Sequence, residues 1–252
     1  MFIIKEIINL AEITIIANKF LKEGKLVTEI LHDFNRYNYT FSFLDTNETS
    51  VENWVRKLKE KEVEELYIGF SVPMNIYDVA IQNCTPAGLM CKYANGQITC
   101  WTKRWKGNNN GNDDVLYKEK LVNPEMYSVE FSKRFESNFK YFKYSIKKVI
   151  ELAKKVECDE WIKYFEQVFE LEDINNAKEF PATKNMYNIL PDRNLCVYAM
   201  AVQAYPFGGM NSWCDIPALK AEKLGIKDSF IKDSRELFLE IMGMISYATY
   251  NL

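Results

Sequence analysis

Asn95-Gly96 lies between two runs of strand-forming residues, Gly88 to Tyr93 and Gln97 to Trp105. This dipeptide is the strongest short-range hairpin signal, because a two-residue type I′ turn needs φ > 0 at both central positions. It commits the first half of the chain to a sheet. A turn of that kind sets Tyr93 opposite Ile98, Lys92 opposite Thr99 and Cys91 opposite Cys100. One face of the hairpin then carries Leu89, Cys91, Tyr93, Ile98, Cys100 and Thr102, and is expected to be core. The other carries Met90, Lys92, Trp101, Lys103 and Trp105, and is expected to be an amphipathic or partner-facing surface.

Around this hairpin, Tyr39 to Phe43, Leu66 to Phe70 and Val115 to Leu121 read as further strands. Helical patterns run from Ile3 to Leu21 and from Lys25 to Tyr37. Thr49 followed by Glu52 resembles a capping box that opens a helix through Trp54, Val55 and Leu58. Ser71 is placed to cap a short helical element around Ile76. After Pro124 the period changes, and Phe131, Phe135, Phe139, Phe142, Ile146 and Val149 recur at three- and four-residue spacing. Such spacing defines one long buried helix face. Trp161, Phe165 and Val168 repeat it, Asn175 to Leu190 reads as a connection, Asp192 opens a helix to Ala204, and Asp228 or Asp233 opens a last one. The expected class is α+β: a mainly antiparallel sheet with a central β-hairpin in the N-terminal half and a helical C-terminal half. Residues 1–252 are expected to form a single domain, with a subdivision near residue 122.

Hydrophobic residues at 48% and aromatics at 14% supply a real core, and a net charge of -3 argues against a protein built to coat nucleic acid. The six cysteines include no Cys-x-x-Cys pair, and His32 is the only histidine. That removes most zinc sites and most histidine-based catalysis, so no metal, cofactor or catalytic residue is expected. Lys5, Glu6 and Asn9 interrupt the apolar N-terminus, and no stretch reaches the ~20 apolar residues of a membrane span. A cytoplasmic location is expected.

The segment from Tyr205 to Pro217 concentrates glycines, prolines, aromatics and an acid between two helical patterns. It reads either as a packed corner or as a recognition loop. Gly208-Gly209 lacks the third glycine of a dinucleotide fingerprint and the Lys-Ser/Thr ending of a P-loop, and its place after a helix suits a C-terminal cap. A nucleophilic Cys214 would need a base, and His32 is the only imidazole. Elsewhere, Trp101-Thr102-Lys103-Arg104-Trp105-Lys106 interleaves aromatics with cations. The helix Phe131 to Lys155 carries eight lysines and arginines against two glutamates. The plain reading of both is a structural strand and a solvated helix face; the functional reading is a basic surface that steers an acidic partner.

Three stretches carry a resemblance: Ile68-Gly69-Phe70-Ser71, Cys100-Trp101-Thr102-Lys103 and Phe207-Gly208-Gly209-Met210-Asn211-Ser212-Trp213. Together they resemble an uncharacterised family of cytosolic bacterial proteins marked by a Phe-Gly-x-Met-x-Ser-Trp-Asn loop after a helix. Cys214 stands where that pattern has asparagine. The resemblance implies a bacterial, cytosolic protein and assigns no activity.

The leading expectation is a non-enzymatic protein-binding module, of the immunity-like kind that neutralises a toxin domain. Its binding surface would comprise Trp101, Lys103, Trp105, Phe207, Gly208, Gly209, Trp213 and Asp215, facing an acidic protein. The alternative is a small-molecule enzyme or ligand-binding protein with a pocket at the Phe207 to Trp213 loop. Single-stranded nucleic acid is a weaker third partner, and pairing of the hairpin face would allow a homodimer.

Overall fold

The computed structural model describes residues 2–26, 38–70, 87–106, 114–121, 135–208, 211–250 and 252. They fall into two compact units. One holds the described residues from 10 to 121; the other holds residues 2–9 and those from 135 to 250. The first contains a six-stranded sheet and the second is helical, so the chain is α+β. The expected helix over Lys25 to Tyr37, the element after Ser71, His32 and Phe131 fall wholly or mostly outside the described residues.

The sheet comprises β1 (Asn38–Ser42), β2 (Asn47–Glu48), β3 (Val63–Phe70), β4 (Ala87–Tyr93), β5 (Ile98–Lys106) and β6 (Asp114–Leu121). Their order is β2-β1-β6-β5-β4-β3. Four neighbouring pairs are antiparallel and β1 runs parallel to β6, which makes the sheet mixed.

The hairpin forms where Asn95-Gly96 predicts it, but with a different turn. Tyr93 N donates to Gln97 O at 2.9 Å, and Gly96, at φ 81°, donates from its N to Tyr93 O at 2.9 Å. Ala94, Asn95 and Gly96 therefore make a three-residue loop with glycine in the left-handed position, the next most common hairpin connection. The pairing slides by one residue. Cys91 lies opposite Thr99, Met90 opposite Cys100 and Leu89 opposite Trp101. Because side chains alternate with a period of two, this slip moves the whole β5 set to the other face. Cys91 and Cys100 do not face each other, and Trp101 belongs with Leu89 and Cys91.

That face is the core of the sheet unit. The helix α2 (Val51–Glu60) lays Trp54 flat on Phe41 at 4.4 Å and edge-on to Trp101 at 5.6 Å. Phe43 meets Trp101 edge-on at 4.8 Å, and Tyr117 stacks on Phe41 at 5.2 Å. Edge and offset-stacked contacts of this kind add to the stabilisation that burial already supplies. α2 is capped by Ser50, whose Oγ accepts from Asn53 N at 3.1 Å, rather than by the Thr49–Glu52 box. Glu119 of β6 is a buried acid of this unit. It accepts hydrogen bonds from Thr99 Oγ1 at 2.8 Å, Leu44 N at 3.2 Å and Tyr93 OH, so neutral donors replace the water it loses. At the β3 edge, Asn18 of α1 (Phe2–Glu23) mimics a neighbouring strand. It donates to Leu66 O at 2.7 Å and accepts from Leu66 N at 2.8 Å, occupying groups an open edge would offer to another chain.

The helical unit contains α3 (Phe135–Lys155), α4 (Asp159–Glu170), α5 (Ile174–Glu179), α6 (Asp192–Gln203), α7 (Ile216–Lys223) and α8 (Lys227–Tyr250). The expected connection between Asn175 and Leu190 thus holds most of α5 and a 3-10 turn, Pro181–Thr183. α8 packs on α3 and α6. As the three- and four-residue period requires, Phe142, Ile146, Val149 and Ala153 of α3 are buried. Lys148 of α3 ties to α8, donating to Glu236 Oε2 at 2.6 Å and to Asp233 Oδ1 at 3.3 Å. Among the described residues, no helix is long and apolar enough to cross a membrane.

Candidate ligand pocket beside the glycine loop

α6 closes at Ala204, so Gly208 is not its cap. The chain then leaves the helix, and residues 205–208 and 211–215 on either side of the undescribed pair are each fastened in place. Trp213 is the main anchor. Its Nε1 donates to Ser234 Oγ at 2.7 Å, and its ring stacks on Phe230 at 5.0 Å. Trp161 and Phe165 of α4 meet it edge-on at 5.6 and 5.3 Å. At the other end, Tyr164 OH donates to Tyr205 O at 2.9 Å, and Phe207 packs edge-on between Tyr205 and Phe238 at 5.4 and 5.8 Å.

The backbone joins the two ends. Trp213 N donates to Pro206 O at 3.1 Å, which closes the excursion into a loop. Ser212 N donates to Asp215 Oδ2 at 2.8 Å and Asp215 N returns to Ser212 O at 3.0 Å. Within this clamp Gly208 sits at φ 91° and Asn211 at φ 61°. Asparagine is among the few side chains that tolerate the left-handed region, and it does so at a cost in strain. That strain persists because the surrounding hydrogen bonds over-determine the turn.

Beside the loop is a cavity of about 450 Å³, within the range that holds small-molecule ligands. Its aromatic wall is made by Trp161, Tyr164, Phe180, Tyr205 and Phe207. Pro181, Pro206 and Val202 add rigid or apolar surface, and Gln203, Asn211 and Ser212 supply polar groups. Among the described residues, no lysine, arginine, histidine, aspartate or glutamate lines it.

The residues nominated from sequence separate into two groups. Phe207 and Trp213 are buried and hold the loop in place, and Asp215 forms its turn. Gly208 lines the cavity, while Gly209 lies outside the described residues. Trp101, Lys103 and Trp105 belong to the sheet unit. Trp101 is 0% exposed, so it is not the surface anchor it was expected to be; the one-residue register slip puts it in the core. Lys103 is half-buried. Trp105 is paired with Val115 in the β5–β6 ladder, and its side chain lies outside the described residues.

Cys214 is not an activated nucleophile. Burial, and secondarily the Asp215 charge, push its thiol up to about 12, so it stays protonated at neutral pH. The residues that sequence reasoning missed are Trp161, Tyr164, Phe180 and Gln203. The helical spacing of Trp161 and Phe165 marks a buried face of α4 but does not say that part of it borders a void. Among the described residues, no group of three or more histidine, cysteine, aspartate or glutamate side chains could hold a metal ion.

Compared with known protein families, curated proteins and solved structures, the chain matches none.

Proposed function

We propose that this protein is a non-enzymatic binding protein that holds a small, mainly apolar molecule in the pocket beside the 205–215 loop. The observation that carries the reading is the 450 Å³ cavity walled by five aromatic side chains and bordered by a loop clamped at both ends. A wall fixed before the ligand arrives lowers the ordering cost of binding. Binding is favoured over catalysis because the described lining residues offer no carboxylate, imidazole or amine to move a proton, and the neighbouring Cys214 thiol is held protonated. A cytosolic setting fits the buried thiols Cys91, Cys158 and Cys214. The test is mass spectrometry of small molecules released from gently purified protein. Ala182→Trp, which fills the pocket from the 3-10 turn, should lose the molecule that the wild type retains. Equal retention by both proteins would overturn the reading.

A second reading, a module that docks an acidic protein in the manner of a neutralising partner, is favoured by a different surface. On α3, Tyr141 and Tyr144 are 60% and 57% exposed, and Lys140 and Lys147 are exposed beside them on the same stripe. Exposed tyrosines next to cations supply the anchors and the steering that interfaces use. Tyr141→Ala with Tyr144→Ala should leave the fold intact and weaken a purified acidic partner's binding at least tenfold; unchanged affinity would remove this reading.

A further inference from the structure

We infer that the pocket selects an uncharged, flat, aromatic molecule that presents a hydrogen-bonding group along one edge. This rests on the pocket being a ligand site and adds what the ligand must be.

Charge is decided by the lining. An ion entering a site without a counter-charge gives up water with no charged partner to replace it. The absence of charged side chains among the described residues of this wall is not a general property of the helical unit. A smaller cavity of about 280 Å³ over Phe139, Cys196 and Met200 is rimmed by Glu172, Asp192 and Arg193. By their described linings the two cavities are chemically distinct, and only the larger lacks a charged rim.

Shape follows from the wall. Trp161 and Tyr164 meet edge-on at 5.1 Å, and so do Tyr205 and Phe207 at 5.4 Å. Aromatic rings favour offset-stacked or edge-on neighbours, and a flat ring entering among them completes such contacts. Pro181 and Pro206 have no side-chain freedom to lose when it binds.

The polar edge comes from the loop and the end of α6. Ser212 Oγ accepts from Cys214 N at 3.3 Å, which leaves its own proton free to donate. Gln203 reaches Gln167 Oε1 only at 3.5 Å, the limit of a hydrogen bond, so little is lost when it turns to a ligand. Asn211 is exposed, and its left-handed backbone is held by the clamp that positions Ser212. Gln203, Asn211 and Ser212 thus add hydrogen-bonding groups to a mainly aromatic and apolar lining.

A matched series of probes tests this: indole-3-acetamide, indole-3-acetate, tryptamine and cyclohexylacetamide, titrated by ligand-observed NMR against the wild type and Ala182→Trp. The first is neutral and aromatic, the next two carry one charge on the same ring, and the last is neutral without a flat ring. Indole-3-acetamide is expected to bind at least tenfold more tightly than the other three. Gln203→Leu is expected to weaken it about fivefold while leaving plain indole unchanged. Binding of a charged or non-aromatic probe as tightly as the acetamide, abolished by Ala182→Trp, overturns the inference and leaves the pocket reading standing. Binding by none of the probes, or binding untouched in a folded Ala182→Trp protein, overturns both. The probe series is read on the wild type, so failure of one variant to fold does not remove the test.

Discussion

Two tryptophans illustrate what a buried indole asks of its surroundings. Trp213 places its N–H on Ser234 Oγ, and Trp101 is enclosed by Trp54, Phe41 and Phe43. Truncating Trp101 to alanine removes the ring on which that cluster converges. The expected loss is about 3–5 kcal/mol, measured by urea unfolding. A loss below about 1 kcal/mol would mean that the ring is not core. Glu240 on α8 makes a different demand. Burial, with a smaller contribution from the Glu236 charge, raises its carboxyl from 4.5 to about 7. Below pH 4.5 both folded and unfolded chains hold the proton and the site costs nothing. As pH climbs from 4.5 through 7 the unfolded chain ionises first, and folding stability is lost over that window. Glu240→Gln should therefore stabilise the protein at pH 8 by about 1 kcal/mol, a figure reduced for partial solvent exposure. The difference should vanish at pH 4, and thermal melts at the two values check it. A variant that is less stable at pH 8 would contradict the assignment.

At the scale of elements, the hairpin separates what the sequence makes legible from what it does not. Asn95-Gly96 announces a turn, and the turn is there. The same dipeptide suits a two- or a three-residue loop, and one residue of difference exchanges the two faces of β5. Composition alone could not resolve that choice, because both faces carry apolar residues. Gly88 adds a constraint invisible in any pattern. A Cβ there would lie 2.7 Å from Cys100 Sγ and 3.0 Å from Trp101 O, so β4 and β5 approach closely only because that position has no side chain. Gly88→Ala should cost about 1–3 kcal/mol through overpacking, read from the urea midpoint with an unchanged slope. The α3 helix was legible from its phenylalanine period. The pocket was half legible: its loop stands out by composition, whereas Trp161 of α4, Gln203 of α6 and Phe180 between α5 and the 3-10 turn are brought together only by tertiary folding.

For the molecule as a whole, a ligand that binds only the folded state adds stability by mass action. At about one hundred times its dissociation constant a pocket ligand should contribute roughly 2.7 kcal/mol. Hydrogen exchange should show the gain as slower exchange in peptides of α4 and α6, which line the cavity. Protection confined to the sheet strands would place the ligand elsewhere. The β1–β6 pair also has a consequence for how the chain is made. β1 is joined on one side by β2, close in sequence, but its other side waits for β6. Asn38 pairs with Asp114, and at about 5–20 residues per second a ribosome needs on the order of 4–15 s to synthesise the stretch between them. During that interval the emerging chain carries Tyr39, Thr40 and Phe41 with one row of strand hydrogen-bonding groups unoccupied. Any nascent chain stalled before residue 114 would present that row to its neighbours on the polysome.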